Sequence, residues 1–290
     1  MNNKKFINNK LICPVCQTPL ELDESAKSFI CKKENKPHCF DISSAGYVNL
    51  ALGHAGGGDS KECVKSRSEF LGCGHYKPIS DKLNDLALKY IEKDSSVLDA
   101  GCGEGYYTLS LAKELSSEGC ENSMVVGIDL SKYAVEQAAK TAKRSEVENL
   151  IYAVSSIYEL PMPDMSLGGV VSLFAPCPAK EFHRVLKTDG ILIVASAGEK
   201  HLMGLKKALY DNVYTNETRA DTPNEELFSL LDTHSVSYKI ELTSNKEITD
   251  LFAMTPYFYR TSLSDKQKLE KMEHLITEVE VDFSVYRKNG

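Results

Sequence analysis

From Ser95 onward, short apolar runs and amphipathic runs take turns along the chain. SVLDA (96–100), MVVGID (124–129), NLIYAVS (149–155), GGVVSLF (168–174) and GILIVAS (190–196) are apolar stretches of strand length. Between them, YYTLSLAKEL (106–115), KYAVEQAAKTAKR (132–144) and PAKEFHRVLK (178–187) repeat apolar residues at helical spacing. Strands separated by helices predict βαβ units and a parallel sheet covered on both faces. Further on, KHLMGLKKALY (200–210) predicts a helix, NETRADTPNEE (216–226) a polar loop, and VSYKIELT (236–243) and VEVDFSVYR (279–287) two closing strands. Upstream, KPISDKLNDLALKYI (77–91) sets Ile79, Leu83, Leu86 and Tyr90 on one face of an amphipathic helix. The glycine-rich GHAGGGDS (53–60) before it predicts a flexible link.

Composition fits one medium domain with a small appendage: 290 residues, 42% hydrophobic and 26% charged. No apolar run approaches the roughly 20 residues that span a bilayer. The opening MNNKKFINNK has lysines but no apolar core, so it is not a secretory signal, and a cytoplasmic location is expected. The net charge of −7 does not favour nucleic acid as a partner. Its distribution changes that picture: residues 1–94 hold 14 Lys+Arg against 12 Asp+Glu, so the acidity lies in the remainder. A locally basic head on an acidic body can still track phosphate.

The stretch VLDAGCGEGYYT (97–108) carries the most chemistry. Gly101, Gly103 and Gly105 follow Asp99 directly after a strand and lead into a helix, allowing a tight turn and close approach of a ligand to the backbone. Nicotinamide sites use G-x-G-x-x-G and place pyrophosphate on the helix N-terminus. Here the third glycine comes one residue early, and an aspartate stands where pyrophosphate would be repelled. That acid suits a cationic ligand, and S-adenosylmethionine carries a sulfonium and an ammonium without phosphate. Asp129, at the end of the next strand, is placed to accept from ribose hydroxyls. Helix capping or turn formation would explain either acid alone; strand, loop, helix, strand and second acid in this order favour a methyltransferase core.

Nine cysteines are an odd count, and in a reducing compartment a tight pair points to metal before disulfides. Cys13-Pro-Val-Cys16 lets two sulfurs reach one tetrahedral ion, Cys31 follows at ribbon-like spacing, and either His38 or Cys39 completes four ligands. A full shell implies structural zinc. Cys63, Cys73, Cys102, Cys120 and Cys177 read as ordinary small hydrophobes.

CPVC, FD-x4-GYVNL (40–50), GDSKE (58–62), FL-x2-GHY-x-P (70–78), VLDAGCGEGYYT, APC (175–177) and HLMGLK (201–206) together resemble the bacterial large-subunit (23S) rRNA (guanine-N1)-methyltransferases, including the macrolide (tylosin-type) resistance enzymes. The similarity runs over nearly the full length. It implies a class I S-adenosylmethionine-dependent methyltransferase fold, α/β and Rossmann-like with a mostly parallel doubly wound sheet, behind a small N-terminal zinc-ribbon-like domain. It also implies zinc on Cys13, Cys16, Cys31 and His38, favouring His38 over Cys39, and cofactor contacts from Tyr76, Gly103, Glu104 and His201. Without it, Tyr76 reads as a core aromatic beside a helix and His201 as a surface helix residue. KTDG (187–190) stands where such folds often have Lys-Pro-Gly-Gly, and the turn before the strand at Gly190 is expected to persist.

The expected organisation is a zinc-binding RNA-recognition domain over 1–45, a connecting segment with an amphipathic helix over 46–94, and the methyltransferase domain over 95–290. The implied partner is an rRNA hairpin with an unpaired guanine, and the resemblance leaves room for a homodimer. No residue declares itself the proton acceptor; FAPC (174–177) lies where one would be sought, and Cys177 there reads equally as a buried small residue. Two rivals are a small-molecule methyltransferase whose zinc only folds the N-terminus, and a non-catalytic RNA-binding protein with a methyltransferase fold.

Overall fold

The structure, a computed structural model, describes residues 8–53, 59–120, 122–213, 215–216 and 223–290. Of the glycine-rich and polar loops read from the sequence, residues 54–58 and 217–222 lie outside the described residues.

Three short strands, β1 (Leu20–Leu22), β2 (Ser28–Cys31) and β3 (Cys39–Asp41), form an antiparallel sheet in that order. There follow β4 (Tyr47–Asn49), α1 (Lys61–Gly72), α2 (Lys77–Tyr90), β5 (Val97–Ala100), α3 (Tyr106–Ser117), β6 (Val125–Asp129), α4 (Lys132–Arg144) and β7 (Leu150–Val154). The chain continues through β8 (Leu167–Leu173), α5 (Ala179–Val185), β9 (Leu186–Ala197), α6 (Met203–Leu209), β10 (Phe228–Leu242), α7 (Asn245–Ala253), α8 (Leu263–Glu270) and β11 (Leu275–Lys288).

The large sheet has the order β10-β11-β9-β8-β5-β6-β7-β4. Every pair from β9 to β4 is parallel, while β11 runs antiparallel to both β9 and β10. From β5 the chain winds outward through β6 and β7, then returns to β8 on the other side. That reversal leaves a crevice outside the carboxyl ends of β5 and β8, where open α/β sheets hold ligands.

Central strands bury both faces, which is why they read as unbroken apolar runs; all seven residues of β8 are buried. Val171 and Ile193 pack with Ile79, Leu83, Leu111, Leu205 and Leu251 from the helices of one face. Their neighbours Val170 and Leu192 turn to the other face and join Phe182 and Val185 of α5. The same cluster takes in Leu11, Cys13, Leu20 and Phe29, so the N-terminal sheet shares core with the body. Backbone bonding reinforces this: Ile12 N–H donates to the Pro161 carbonyl at 2.9 Å, and Lys10 Nζ donates to Ser96 Oγ at 2.9 Å.

The expected strands and helices from 96 to 210 are present, with one change. The helix expected over 178–187 stops at Val185, and β9 begins at once with Leu186. The turn expected at KTDG is a kink inside β9, where pairing to β8 jumps from Leu186 to Ile191 and Asp189 takes a φ of 59°. β10 is longer than its predicted core, starting at Phe228, and α1, α7 and α8 were not foreseen. Ser60, Ser244 and Ser262 cap these three helices, each accepting a backbone N–H three residues on. Among the described residues, no helix is long and apolar enough to cross a membrane.

Candidate functional site

β5 delivers its chain into the crevice at Gly101, and the loop to α3 is built on left-handed backbone. Gly101, Gly103 and Gly105 have φ of 81°, 55° and 81°. A Cβ at Gly101 would stand 2.7 Å from the Ala175 Cβ, and one at Gly105 would stand 2.7 Å from Ala138 Cβ and strike the Tyr152 hydroxyl. Conformation and contact both demand glycine there. The loop is tied to β6: the N–H groups of Gly101 and Cys102 donate to the Ile128 carbonyl.

Three carboxylates surround this loop. Asp99 is 2% exposed and accepts from Thr108 Oγ1 at 2.6 Å. Asp129 accepts from Gly103 N–H at 3.0 Å and Ser131 N–H at 2.7 Å, one on each oxygen. Each of those oxygens keeps a further lone pair for a hydroxyl donor. Glu104 is also buried. Burial pushes Asp99 up to about 7, the neighbouring Asp129 and Glu104 charges adding to it against the Thr108 bond. Burial likewise raises Glu104 to about 7, relieved in part by the Arg67 charge. Asp129 is raised by burial and held back by its two backbone donors. Such a cluster is costly to ionise alone and is relieved by a cationic ligand. A glycine cradle with this charge fits S-adenosylmethionine.

A second group closes the other side of the β8 terminus. Tyr76, at the start of α2, and His201, ahead of α6, are both buried, with Tyr76 Oη and His201 Nε2 3.4 Å apart. Phe70 meets Tyr76 edge-on at 5.4 Å, and Phe174 tilts against His201 at 6.0 Å. Burial lowers His201 to about 4, so its imidazole is neutral at physiological pH. Phe174 follows β8 directly in the left-handed region, φ 53°, with its side chain exposed. Since Ala175 abuts Gly101 while Phe174 abuts His201, adjacent residues join the two groups.

The sequence-derived set Asp99, Gly101, Gly103, Glu104, Gly105 and Asp129 therefore gathers at one loop, with Tyr76 and His201 paired beside it. Sequence reasoning missed Arg67 on α1, whose Nη2 lies 3.1 Å from Asp59 and whose Nε lies 3.9 Å from Glu104. Nothing in KECVKSRSEF marks that arginine apart from its neighbouring lysine. Cys177, read as a possible buried small residue, is only partly buried; Cys73 is exposed, and Cys63, Cys102 and Cys120 are buried.

In the N-terminal sheet, the ligand atoms of Cys13, Cys16, Cys31 and His38 all lie within 4.8 Å of one another. His38 Nδ1 stands 3.5 Å from both Cys13 Sγ and Cys31 Sγ, and His38 N–H donates to Cys31 Sγ at 3.0 Å. Cys39, next in the strand, is exposed and outside the group. Three thiolates and one imidazole at these separations suit tetrahedral zinc with no open position.

Comparisons with known proteins agree with both halves. The family model described as RlmA, N-terminal, a zinc ribbon, matches residues 11–51. A Bacillus subtilis protein provisionally named 23S rRNA (guanine-N1)-methyltransferase YxjB is 29% identical over 95% of this chain and 96% of its own. The 23S rRNA (guanine(748)-N1)-methyltransferase of Streptomyces fradiae is 29% identical over 71% of this chain and 70% of its own. The family model described as methyltransferase domain matches residues 91–255, more than half of the chain, with the glycine cradle and its acids inside the match. By its fold, its cradle and that match, the chain belongs to the methyltransferase-domain family.

Proposed function

We propose that this protein methylates N1 of an unpaired guanine in a hairpin of large-subunit (23S) rRNA. The observation that carries the reading is the union, in one chain, of the acidic glycine cradle with a zinc ribbon packed onto the same core, over the full length shared with the Bacillus relative. S-adenosylmethionine, when bound, supplies a methyl group made electrophilic by its sulfonium.

The chain's own residues hold and orient. Asp99, Glu104 and Asp129 offer negative charge and hydroxyl acceptors, while the glycines bring backbone close. Tyr76 and His201 wall the opposite side. Guanine N1 lies on the Watson–Crick edge, so the base must leave any pair to be reached. Phe174, exposed at the end of β8 beside that site, presents an aromatic face on which an extruded purine can stack. In-line transfer then gains chiefly from holding donor and acceptor in near-attack geometry. In this reading residues 1–45 grip RNA, 46–94 connect, and 95–290 transfer, in the cytoplasm where ribosomes are made.

Primer extension on unmodified large-subunit rRNA tests it. N1-methylguanine blocks pairing, so a single new stop, dependent on enzyme and S-adenosylmethionine, is expected in a hairpin loop. No stop, from a protein that still binds the cofactor, would overturn the rRNA assignment.

A further inference from the structure

A site lined by carboxylates has a difficulty with its own cofactor. S-adenosylmethionine carries, besides its sulfonium and ammonium, one carboxylate, which Asp59, Asp99, Glu104 and Asp129 all repel. Among the described residues, a single cation is paired with this cluster. The Arg67 guanidinium reaches Asp59 at 3.1 Å and Glu104 at 3.9 Å, and its Nη2 lies 3.5 Å from the Met254 carbonyl. Its Nη1 stands 3.4 Å from where a Gly103 Cβ would be, so the guanidinium overhangs the loop at the one position where the absent side chain opens room. Its side chain is 31% exposed, so the guanidinium is not sealed in packed protein.

We propose that Arg67 receives the carboxylate of the methionyl group. Its planar fork suits a carboxylate, and its loose 3.9 Å contact to Glu104 leaves donors to spare. The same exchange frees Glu104 to turn toward the ammonium, so one arginine sorts the two ends of a zwitterion. α1 thereby becomes part of the cofactor site, held there by the Ser60 cap at its start. The assignment rests on the methyl-donor reading but not on the identity of the acceptor.

The test compares two ligands that differ only in the carboxylate, S-adenosylmethionine and its decarboxylated form, by calorimetric titration of full-length wild type, Arg67→Met and Arg67→Lys. Loss of a charge-assisted pair is expected to weaken S-adenosylmethionine binding to Arg67→Met roughly ten- to hundredfold. The decarboxylated ligand should bind that variant equally well or better, since an opposing charge is gone, and Arg67→Lys should fall between. Equal weakening of both ligands, or no weakening of either, overturns the proposal, as does a wild type that binds neither. A wild type that prefers the carboxylate yet leaves no stop on rRNA would sustain this role while removing the rRNA reading.

Discussion

The His201 imidazole donates to the Tyr76 hydroxyl. Glu280 N–H already donates to His201 Nδ1 at 3.2 Å, and burial keeps the ring neutral, so the ring proton sits on Nε2, 3.4 Å from Tyr76 Oη. The phenol's own hydrogen is thereby left for another acceptor. Two residues 125 positions apart become one directed donor.

Tyr76→Phe removes that donor and His201→Ala removes what orients it. Each is expected to weaken S-adenosylmethionine binding by about two- to tenfold, the range of one neutral hydrogen bond. Because they act as a unit, the double variant should lose little more than the worse single one. Calorimetric titration of the four proteins decides it; effects that simply multiply would show the pair to be independent.

The buried acids give cofactor binding a pH dependence with a defined sign. Asp99 and Glu104 sit at about 7, raised chiefly by burial, and bind a cation best when ionised. Affinity for S-adenosylmethionine should therefore strengthen several-fold between about pH 5.5 and about pH 7.5, a window in which unperturbed carboxylates would not titrate. The stability of the free protein runs the other way. Unfolding lets these acids ionise near ~4, so their contribution is fully present below that pH and is lost as pH rises toward about 7. Thermal melts with and without cofactor across this range read both trends; parallel curves would contradict them.

Gly105→Ala should be destabilising even though it adds one methyl. The φ of 81° costs ~1–2 kcal/mol for an L side chain, and crowding by Ala138 and Tyr152 adds ~1–3 kcal/mol. Denaturant titration should show a lowered midpoint, whereas Gly72→Ala, with open space around its Cβ, should change little.

Metal analysis should find one zinc per chain. Cys39→Ser should keep it, while His38→Ala should lose it together with the rRNA stop, because Cys13 and Cys31 lie inside the shared core. Retention by His38→Ala and loss by Cys39→Ser would reverse the choice of fourth ligand.

Phe174→Ala should reduce methylation by about ten- to hundredfold, within the worth of one base stacked on an aromatic. Cofactor affinity should stay unchanged, and Phe174→Tyr should restore most of the rate. Single-turnover assays separate the two quantities; a loss confined to cofactor binding would remove the stacking role.

Much of this architecture was legible because local pattern and tertiary role coincide. β5, β6 and β8 are buried on both faces, so their residues are apolar without interruption, and the loop from Asp99 to Gly105 carries its backbone requirement in its glycines. α7 and α8 were less visible, being short, although Ser244 with Glu247 and Ser262 with Asp265 are start signals that could have located them. β10 is half exposed along its length, so its first residues look like loop. Tyr76 and His201 were named through resemblance alone, since each gains meaning only from a partner on a distant segment. Arg67 had neither kind of signal; its role depends on where α1 lands against the loop after β5.

The Ile12–Pro161 bond and the shared core around Leu11 and Phe29 fasten the zinc ribbon to the sheet. A head so fixed works as a gauge. On the proposal that the ribbon grips RNA, its distance from the glycine loop is set by the fold, and the nucleotide that arrives there would be chosen by length along the RNA as much as by its base. Substitutions that shift the ribbon by a fraction of a nucleotide step would move the modification to a neighbour rather than abolish it. Related proteins that keep every residue of the cradle could then differ in which guanine they mark.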